Sequence, residues 1–383
     1  MRKFTILAVI ALLFCAVACS KVSTDYRLIA GIPEYYFENG YLDSKLSEVK
    51  KAMPANNGVT FGFLTDIHIS KNLYSESPYS TSGNAGYSPY ILKYFADSLN
   101  IPFFLFGGDV PVVRARSWDD IVGSADRWLQ MMNVIGRERV FQTRGNHDYL
   151  GYASIDATSV TTCTPSFLYP VLMGSNHIYD VKSPQDKMYY YFDVDDTNLR
   201  VIVLDDYGDK DTEESISGGS CIGQSQYDWL INIALDCSDK NILLLSHQTS
   251  DPMLNTGESD VDENRIVLHE ILKAFVNKKS LNVISTDRNG SVSVTKDFTT
   301  DTNTFICHLS GHRHRDDYSM TDGVLSIEHT CDCYSAYRPQ GNYSGRVSGT
   351  ITEHAVSFFS IDFDSRTITM NRIGAGKGAE WNY

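Results

Sequence analysis

Arg144-Gly145-Asn146-His147-Asp148 follows directly on the apolar run Val140-Phe141-Gln142-Thr143. An amide, an imidazole and a carboxylate in consecutive positions can ligate a metal ion or handle a proton. The glycine lets the backbone turn sharply to present them. Alone, such a loop is usually an ordinary turn. Four further stretches of the same build change its meaning: Thr65-Asp66-Ile67-His68, Gly107-Gly108-Asp109, Ser246-His247 and Gly311-His312-Arg313-His314. Taken singly, Asp66 and Asp109 read as solvated turn residues and His247 as a satisfied core histidine. Taken together they are a metal-ligand set, because neutral imidazoles and carboxylates suit manganese, iron or zinc. Asp66 and His68, like His312 and His314, stand two apart, so in extended backbone each pair leaves the same face toward one point.

For these residues to meet, the strands that carry them must share a sheet edge. In parallel α/β sheets the carboxyl ends of the strands open on one crevice. The apolar runs Val59–Thr65, Pro102–Phe106, Val140–Thr143, Asn241–Ser246 and Thr304–Ser310 read as such strands, each followed by one of the candidate ligands. Helices are expected from Ser88 through Leu99, from Ser117 to Gly136, over Gln224–Leu235 and over Glu263–Phe275. Tyr189–Val194 and Leu199–Leu204 read as paired strands, and Asn289-Gly290 as a hairpin turn. Strands continue at Gly323–Glu328, Ala355–Phe363 and Thr367–Arg372. Strands alternating with helices, then strands alone, give an α/β layered sandwich of two mixed β-sheets flanked by helices. No internal repeat or low-complexity linker divides it. The expected organisation is a signal peptide over 1–18, a tether and lead-in over 19–57, and one catalytic domain over 58–383 with a β-rich C-terminal part.

The ordered set Asp-x-His, Gly-Asp, Gly-Asn-His-Asp, a lone His and Gly-His-x-His resembles the calcineurin-like metallophosphoesterase superfamily. The resemblance runs through residues 58–318 and includes the helix from Gln224 to Leu230. It implies two divalent metal ions, of manganese, iron or zinc. One would be held by Asp66, His68, Asp109 and His314, the other by Asp109, Asn146, His247 and His312, with Asp109 bridging. The implied reaction is hydrolysis of a phosphomonoester or phosphodiester by a metal-bridging hydroxide. His147 would contact the phosphoryl group or protonate the leaving oxygen, with Asp148 fixing its orientation. Arg144 would be a structural or phosphate-facing cation. His308, His177, His269, His329 and His354 are read as packing or surface residues.

Departures from the pattern narrow the type. Purple acid phosphatases carry a tyrosine where Val112 stands, and serine/threonine phosphatases carry Asp-Arg where Val112-Val113 stands. The short β-rich stretch after His314 does not match the large substrate domain of exported nucleotidases. Alternatives are a phosphodiesterase for lipid head groups or nucleotides, and a non-catalytic surface-binding protein that keeps the fold. Tyr74, Tyr149, Tyr334 and Arg338 are candidate substrate contacts.

The chain of 383 residues is 42% hydrophobic and 21% charged, which is globular rather than disordered composition. Its formal charge of −14 argues against a nucleic-acid partner, since phosphate backbones need a basic face. A pair of cations would nevertheless make a local positive site for phosphate. Arg2 and Lys3, the apolar run Ile6–Phe14 and Ala16-Val17-Ala18-Cys19 read as an export signal, with Cys19 as the site of lipidation. The expected location is the periplasm or outer cell surface, held to the membrane through the lipid anchor only. No obligate protein partner is evident. Export permits disulfides among Cys163, Cys221, Cys237, Cys307, Cys331 and Cys333. Cys331-Asp332-Cys333 is too tight for usual zinc-knuckle spacing, so structural bridges or buried thiols are expected there.

Overall fold

The apolar runs form two six-stranded sheets, and their order explains why the polar strand ends meet. The computed structural model describes residues 31–68, 85–110, 118–148, 174, 176–185, 187–207, 221–255, 264–287, 290–333 and 345–383. The first half comprises α1 (Tyr41–Ala52), β1 (Gly58–Leu64), α2 (Ser88–Leu99), β2 (Phe104–Phe106), α3 (Trp118–Ile135), β3 (Val140–Gln142), β4 (Tyr190–Asp193) and β5 (Leu199–Val203). Then come α4 (Gln224–Trp229), β6 (Asn241–Leu245), α5 (Asn264–Val276), β7 (Ser280–Asp287) and β8 (Gly290–Asp297). The chain continues through β9 (Thr304–Ser310), β10 (Asp317–Thr321), β11 (Val324–Glu328), β12 (Ala355–Asp362), β13 (Thr367–Gly374) and β14 (Ala379–Asn382).

One sheet has the order β14-β13-β12-β1-β2-β3 and the other β10-β11-β9-β6-β5-β4, with β7-β8 as a separate hairpin. β1, β2 and β3 run parallel, as do β5, β6, β9 and β11. Antiparallel β12 and β4 make both sheets mixed, which is the layered α/β sandwich expected from the sequence. The two sheets enclose one apolar core, where Phe61 stacks between Phe103 and Phe359. Phe141 of one sheet stacks on Phe192 of the other at 3.9 Å. A second cluster fills the outer face of the β6 sheet, under α4, α5 and the hairpin. Thr143 Oγ1 ties the sheets together beside the strand ends by donating to the Leu204 carbonyl at 2.6 Å.

Local chemistry explains the element boundaries. Pro89 opens α2, Ile91, Leu92, Phe95 and Ala96 line its buried face, and Asn100 closes it in the left-handed conformation. The expected helix over Gln224–Leu235 is six α residues followed by a π turn, Leu230–Ala234. The stretch before Gly58 is not all tether: α1 lies there, burying Leu42 and Val49, while the Tyr41 hydroxyl accepts from the Gly374 amide. β10 and β14 were not expected. Both alternate between half-buried and exposed positions at sheet edges. Asn289 and Cys163 lie outside the described residues.

His308 and His329 are fully buried, as packing residues should be. Ser246 Oγ lies 2.6 Å from His308 Nε2 and Ser250 Oγ 3.3 Å from Nδ1. Burial lowers the His308 pKa from 6.5 to about 3. Below pH 6.5 the unfolded chain therefore binds a proton that the folded chain refuses. Stability falls as pH drops toward the folded value, by up to ~1.4 kcal/mol per pH unit from this residue. In His308→Gln that part of the slope disappears. Urea unfolding between about pH 6 and pH 4 checks this; parallel slopes in parent and variant would refute it.

Candidate metal centre

Each strand delivers its polar residue through a tight turn at the carboxyl edge. Asp66, His68, Asp109, His312 and His314 all have positive φ, between 50° and 75°. The Asp-x-His and His-x-His pairs therefore do not converge by extended alternation, as the spacing suggested. Left-handed backbone at each residue turns the side chains inward. Such conformations cost energy for residues other than glycine and cluster where function requires them. The Asp66 amide donates to the Gly108 carbonyl at 2.9 Å and the His68 amide to the Asp109 carbonyl at 3.0 Å, so two of the loops brace each other. Gly145 and Gly311 sit where these loops touch. A Cβ at Gly145 would strike the Asp109 carboxylate, and one at Gly311 would strike Thr65 and Asp66.

The seven expected ligands face one another. Asp109 Oδ2 lies 3.3 Å from His247 Nε2, 3.9 Å from His68 Nε2 and 3.7 Å from His147 Nε2. Asp66 Oδ1 lies 3.2 Å from His314 Nε2 and 4.0 Å from His247 Nε2. Asn146 Oδ1 is 3.1 Å from both His247 Nε2 and His312 Nδ1. His68 and His314 approach at 3.1 Å through their Nε2 atoms. Asp66, His68, Asp109 and His247 are buried, whereas the His147 side chain is 30% exposed and so stands at the mouth.

These donors fit a cation cluster. Asp66 Oδ1 is buried with no hydrogen bond, an orphaned acceptor aimed into the group. Its partner Oδ2 is held by the Thr65 hydroxyl at 2.7 Å and the His312 amide at 2.9 Å. His247 Nδ1 faces the Gly107 carbonyl at 2.6 Å, which orients the ring and turns Nε2 inward toward Asp109 and Asn146. Asp66, Asp109 and His247 place donor atoms within 4.8 Å of one another, as do His68, Asp109 and His147. Burial lowers the His68 pKa to about 3, so its imidazole is neutral and able to ligate. Burial acts downward on His247 too, but the facing Asp109 and Asp66 carboxylates raise its pKa to about 10.

Two expected roles change. Asp148 does not brace His147. Its Oδ2 accepts from the Gly145 amide at 2.6 Å and the Asp109 amide at 2.9 Å, and its Oδ1 from the Val110 amide at 2.9 Å. Burial, then the neighbouring Asp109, raise the Asp148 pKa to about 7. It is a buried staple between two loops, with its carboxylate on backbone amides. Arg144 is not phosphate-facing: its guanidinium, 4% exposed, makes a bidentate pair with Asp205 at 3.0 and 2.6 Å. Asp205 is itself held through its backbone by Gln226. The structural alternative for Arg144 is the one formed. Cys19, Tyr74, Val112, Val113, Tyr149, Tyr334 and Arg338 lie outside the described residues.

Sequence reasoning missed Asp206 and Tyr207. Asp206 accepts from the amides of His247 and Gln248 at 3.1 and 2.9 Å and pairs with buried Arg265, locking the His247 turn. The Tyr207 ring lies 5.5 Å from His247 and 5.8 Å from His312, and its hydroxyl donates to Gln248 Oε1. The signal was present, because β5 also ends in polar residues, Asp205-Asp206-Tyr207, at the same sheet edge.

The family model for calcineurin-like phosphoesterases matches residues 59–316. No curated protein sequence matches the chain. A dimetal phosphatase from Danio rerio has a similar structure, with a TM-score of 0.55 at 14% identity, covering 85% of this chain and 99% of that one. GAP50, the anchor in the inner membrane complex of Plasmodium, aligns at TM-score 0.42 and 12% identity, over 85% of this chain and 87% of that one. A putative 5'-nucleotidase from Staphylococcus aureus aligns at 0.43 and 12%, over 85% of this chain and 54% of that one. At these identities the likeness is one of fold, and the first of the three carries it.

Proposed function

The chain belongs to the calcineurin-like phosphoesterase family, and from that membership we propose a hydrolase that cleaves a phosphomonoester or phosphodiester with a pair of divalent ions, and from its N-terminal segment that it is exported. It is a metal-dependent phosphate-ester hydrolase; the proposal concerns which residues act, on what, and where. The observation that carries it is the orphaned Asp66 Oδ1 set against His314 and His247, with Asp109 central among His247, His68 and His147. Asp66, His68, Asp109 and His314 would hold one ion, and Asp109, Asn146, His247 and His312 the other. When bound, such ions supply an activated water near neutral pH and positive charge against the phosphoryl oxygens.

The chain's own residues do the rest. Asp109 Oδ1 accepts from the His147 amide at 2.7 Å, which sets the position of the His147 backbone at the mouth of the site. Burial lowers the His147 pKa, so near neutral pH the ring is uncharged and can offer one N–H to a phosphoryl oxygen or the leaving oxygen. Asp148, Asp205 and Asp206 keep the loops in register without touching substrate. The acidic chain leaves phosphate attraction to the metal centre itself.

Arg2, Lys3, the apolar run Ile6–Phe14 and Ala16-Val17-Ala18-Cys19 support export with a lipid on Cys19. Among the described residues no helix is long and apolar enough to cross a membrane. The test is hydrolysis of p-nitrophenyl phosphate and bis-p-nitrophenyl phosphate by metal-stripped protein reloaded with manganese, zinc, nickel or iron. Hydrolysis of at least one ester is expected; none with any ion sinks the reading. In cell fractions, Cys19→Ser should leave the membrane for the soluble exported pool, and an unchanged distribution refutes the anchor.

A further inference from the structure

Cys331-Asp332-Cys333 follows β11 and runs along the carboxyl end of β1. The Asp332 amide donates to the Thr65 carbonyl at 2.9 Å and the Cys333 amide to the Asp66 carbonyl at 3.3 Å. Arg346, itself buried, clamps the segment from the other side, donating to the carbonyls of Cys333 at 2.8 Å and Cys331 at 2.6 Å. The Asp332 carboxylate accepts from Ser88 Oγ at 2.9 Å. These contacts fix a backbone that brings the Cys333 thiol, 3% exposed, against the site. Among the described cysteines none is in a disulfide, so this thiol is free. One sulfur and two nitrogens from Cys333, His68 and His314 lie within 4.8 Å of one another.

The imidazole edge of that triangle has the length of an edge in a coordination polyhedron. With metal–nitrogen bonds of about 2.0–2.1 Å, two imidazoles on a tetrahedral ion stand ~3.3 Å apart. The 3.1 Å between His68 Nε2 and His314 Nε2 matches that edge. These two imidazole nitrogens stand beside a buried sulfur and the Asp66 Oδ1 atom, so four donor atoms are gathered at one place.

We propose that Cys333 is a thiolate ligand of the ion that Asp66, His68 and His314 would hold. The inference rests on the two-ion reading above and adds a soft donor to one position only. On binding, Cys333 Sγ bonds the ion and its proton passes to solvent. A sulfur and two imidazoles, beside the carboxylates of Asp66 and the shared Asp109, favour zinc, cobalt or iron(II) over manganese or magnesium. The neighbouring position, with Asn146, Asp109, His247 and His312, lacks that preference. The two positions are then chemically unequal, and only the one with Cys333 discriminates by softness.

Cobalt(II) titration of the stripped full chain under anaerobic, reducing conditions tests this. The parent should show visible d–d bands and a near-ultraviolet thiolate-to-cobalt band. Cys333→Ser should keep the d–d bands and the bound cobalt but lose the near-ultraviolet band. Its zinc affinity should fall at least about tenfold, a loss that outer partners alone often produce, with manganese affinity little changed. Cys331→Ser should keep the band. Cobalt d–d bands in the parent with no thiolate band, or a band that survives in Cys333→Ser, would overturn the assignment and leave the two-ion reading standing. A parent that takes up no cobalt would remove both.

Discussion

Asp109→Asn lowers hydrolysis at least ~10³-fold and lowers bound metal below two ions per chain. Asp109 Oδ2 faces three imidazoles within 3.9 Å, which suits it to be the oxygen that two ions would share. Asparagine keeps the volume and one acceptor but surrenders the charge. It also places an NH2 or a neutral carbonyl against His247 and His68. Removing one preorganised charge from a water-excluded site typically costs ~10²–10³ in turnover, and losing an ion costs more. Metal content by elemental analysis and turnover on the p-nitrophenyl esters are the two readouts. Parental rates with two bound ions would end the bridging role.

His147→Gln separates chemistry from metal holding. Its side chain is 30% exposed and its Nε2 lies 3.7 Å from Asp109 Oδ2, close to the cluster yet open to substrate. Turnover should fall ~10²–10⁴-fold, the usual range for loss of a positioned acid–base or hydrogen-bonding group. Bound metal should stay at the parental level, because Asp66, Asp109 and the remaining imidazoles are untouched. The loss should be larger on an ester with a poor leaving group than on p-nitrophenyl phosphate, whose leaving oxygen needs little help. Equal losses on both would make His147 a phosphoryl-binding group, and loss of metal would make it a ligand.

The parts of this site that could be read from the chain are those where apolar runs stop abruptly at Asp or His. Buried parallel strands are apolar on both faces, so β1, β6 and β9 and the ligands beyond them announce themselves. What escaped reading depends on partners distant in sequence. Arg144 beside Asn146 and His147 looks like a phosphate contact until Asp205, sixty-one positions later, closes on it. Asp148 follows His147 in the chain, yet its carboxylate points back to three amides. Tyr207 carries no ligand signature and enters the site only because β5 lies beside β6. α1 buries only two of twelve residues, too thin an apolar stripe to stand out from polar surroundings. β10 and β14 are edge strands whose half-exposed faces hold few apolar residues.

The left-handed turns at Asp66, His68, Asp109, His312 and His314 bear on how such a chain would drift once its chemistry no longer mattered. Left-handed backbone costs an aspartate or histidine about 1 kcal/mol or more that glycine avoids, so glycine would be the easier residue there. A relative freed from turnover would gain robustness by accepting those replacements, one position at a time. Glycine spreading through these five places would thus mark descendants that keep the scaffold after abandoning catalysis. The present chain, with none of the five relaxed, carries the opposite mark.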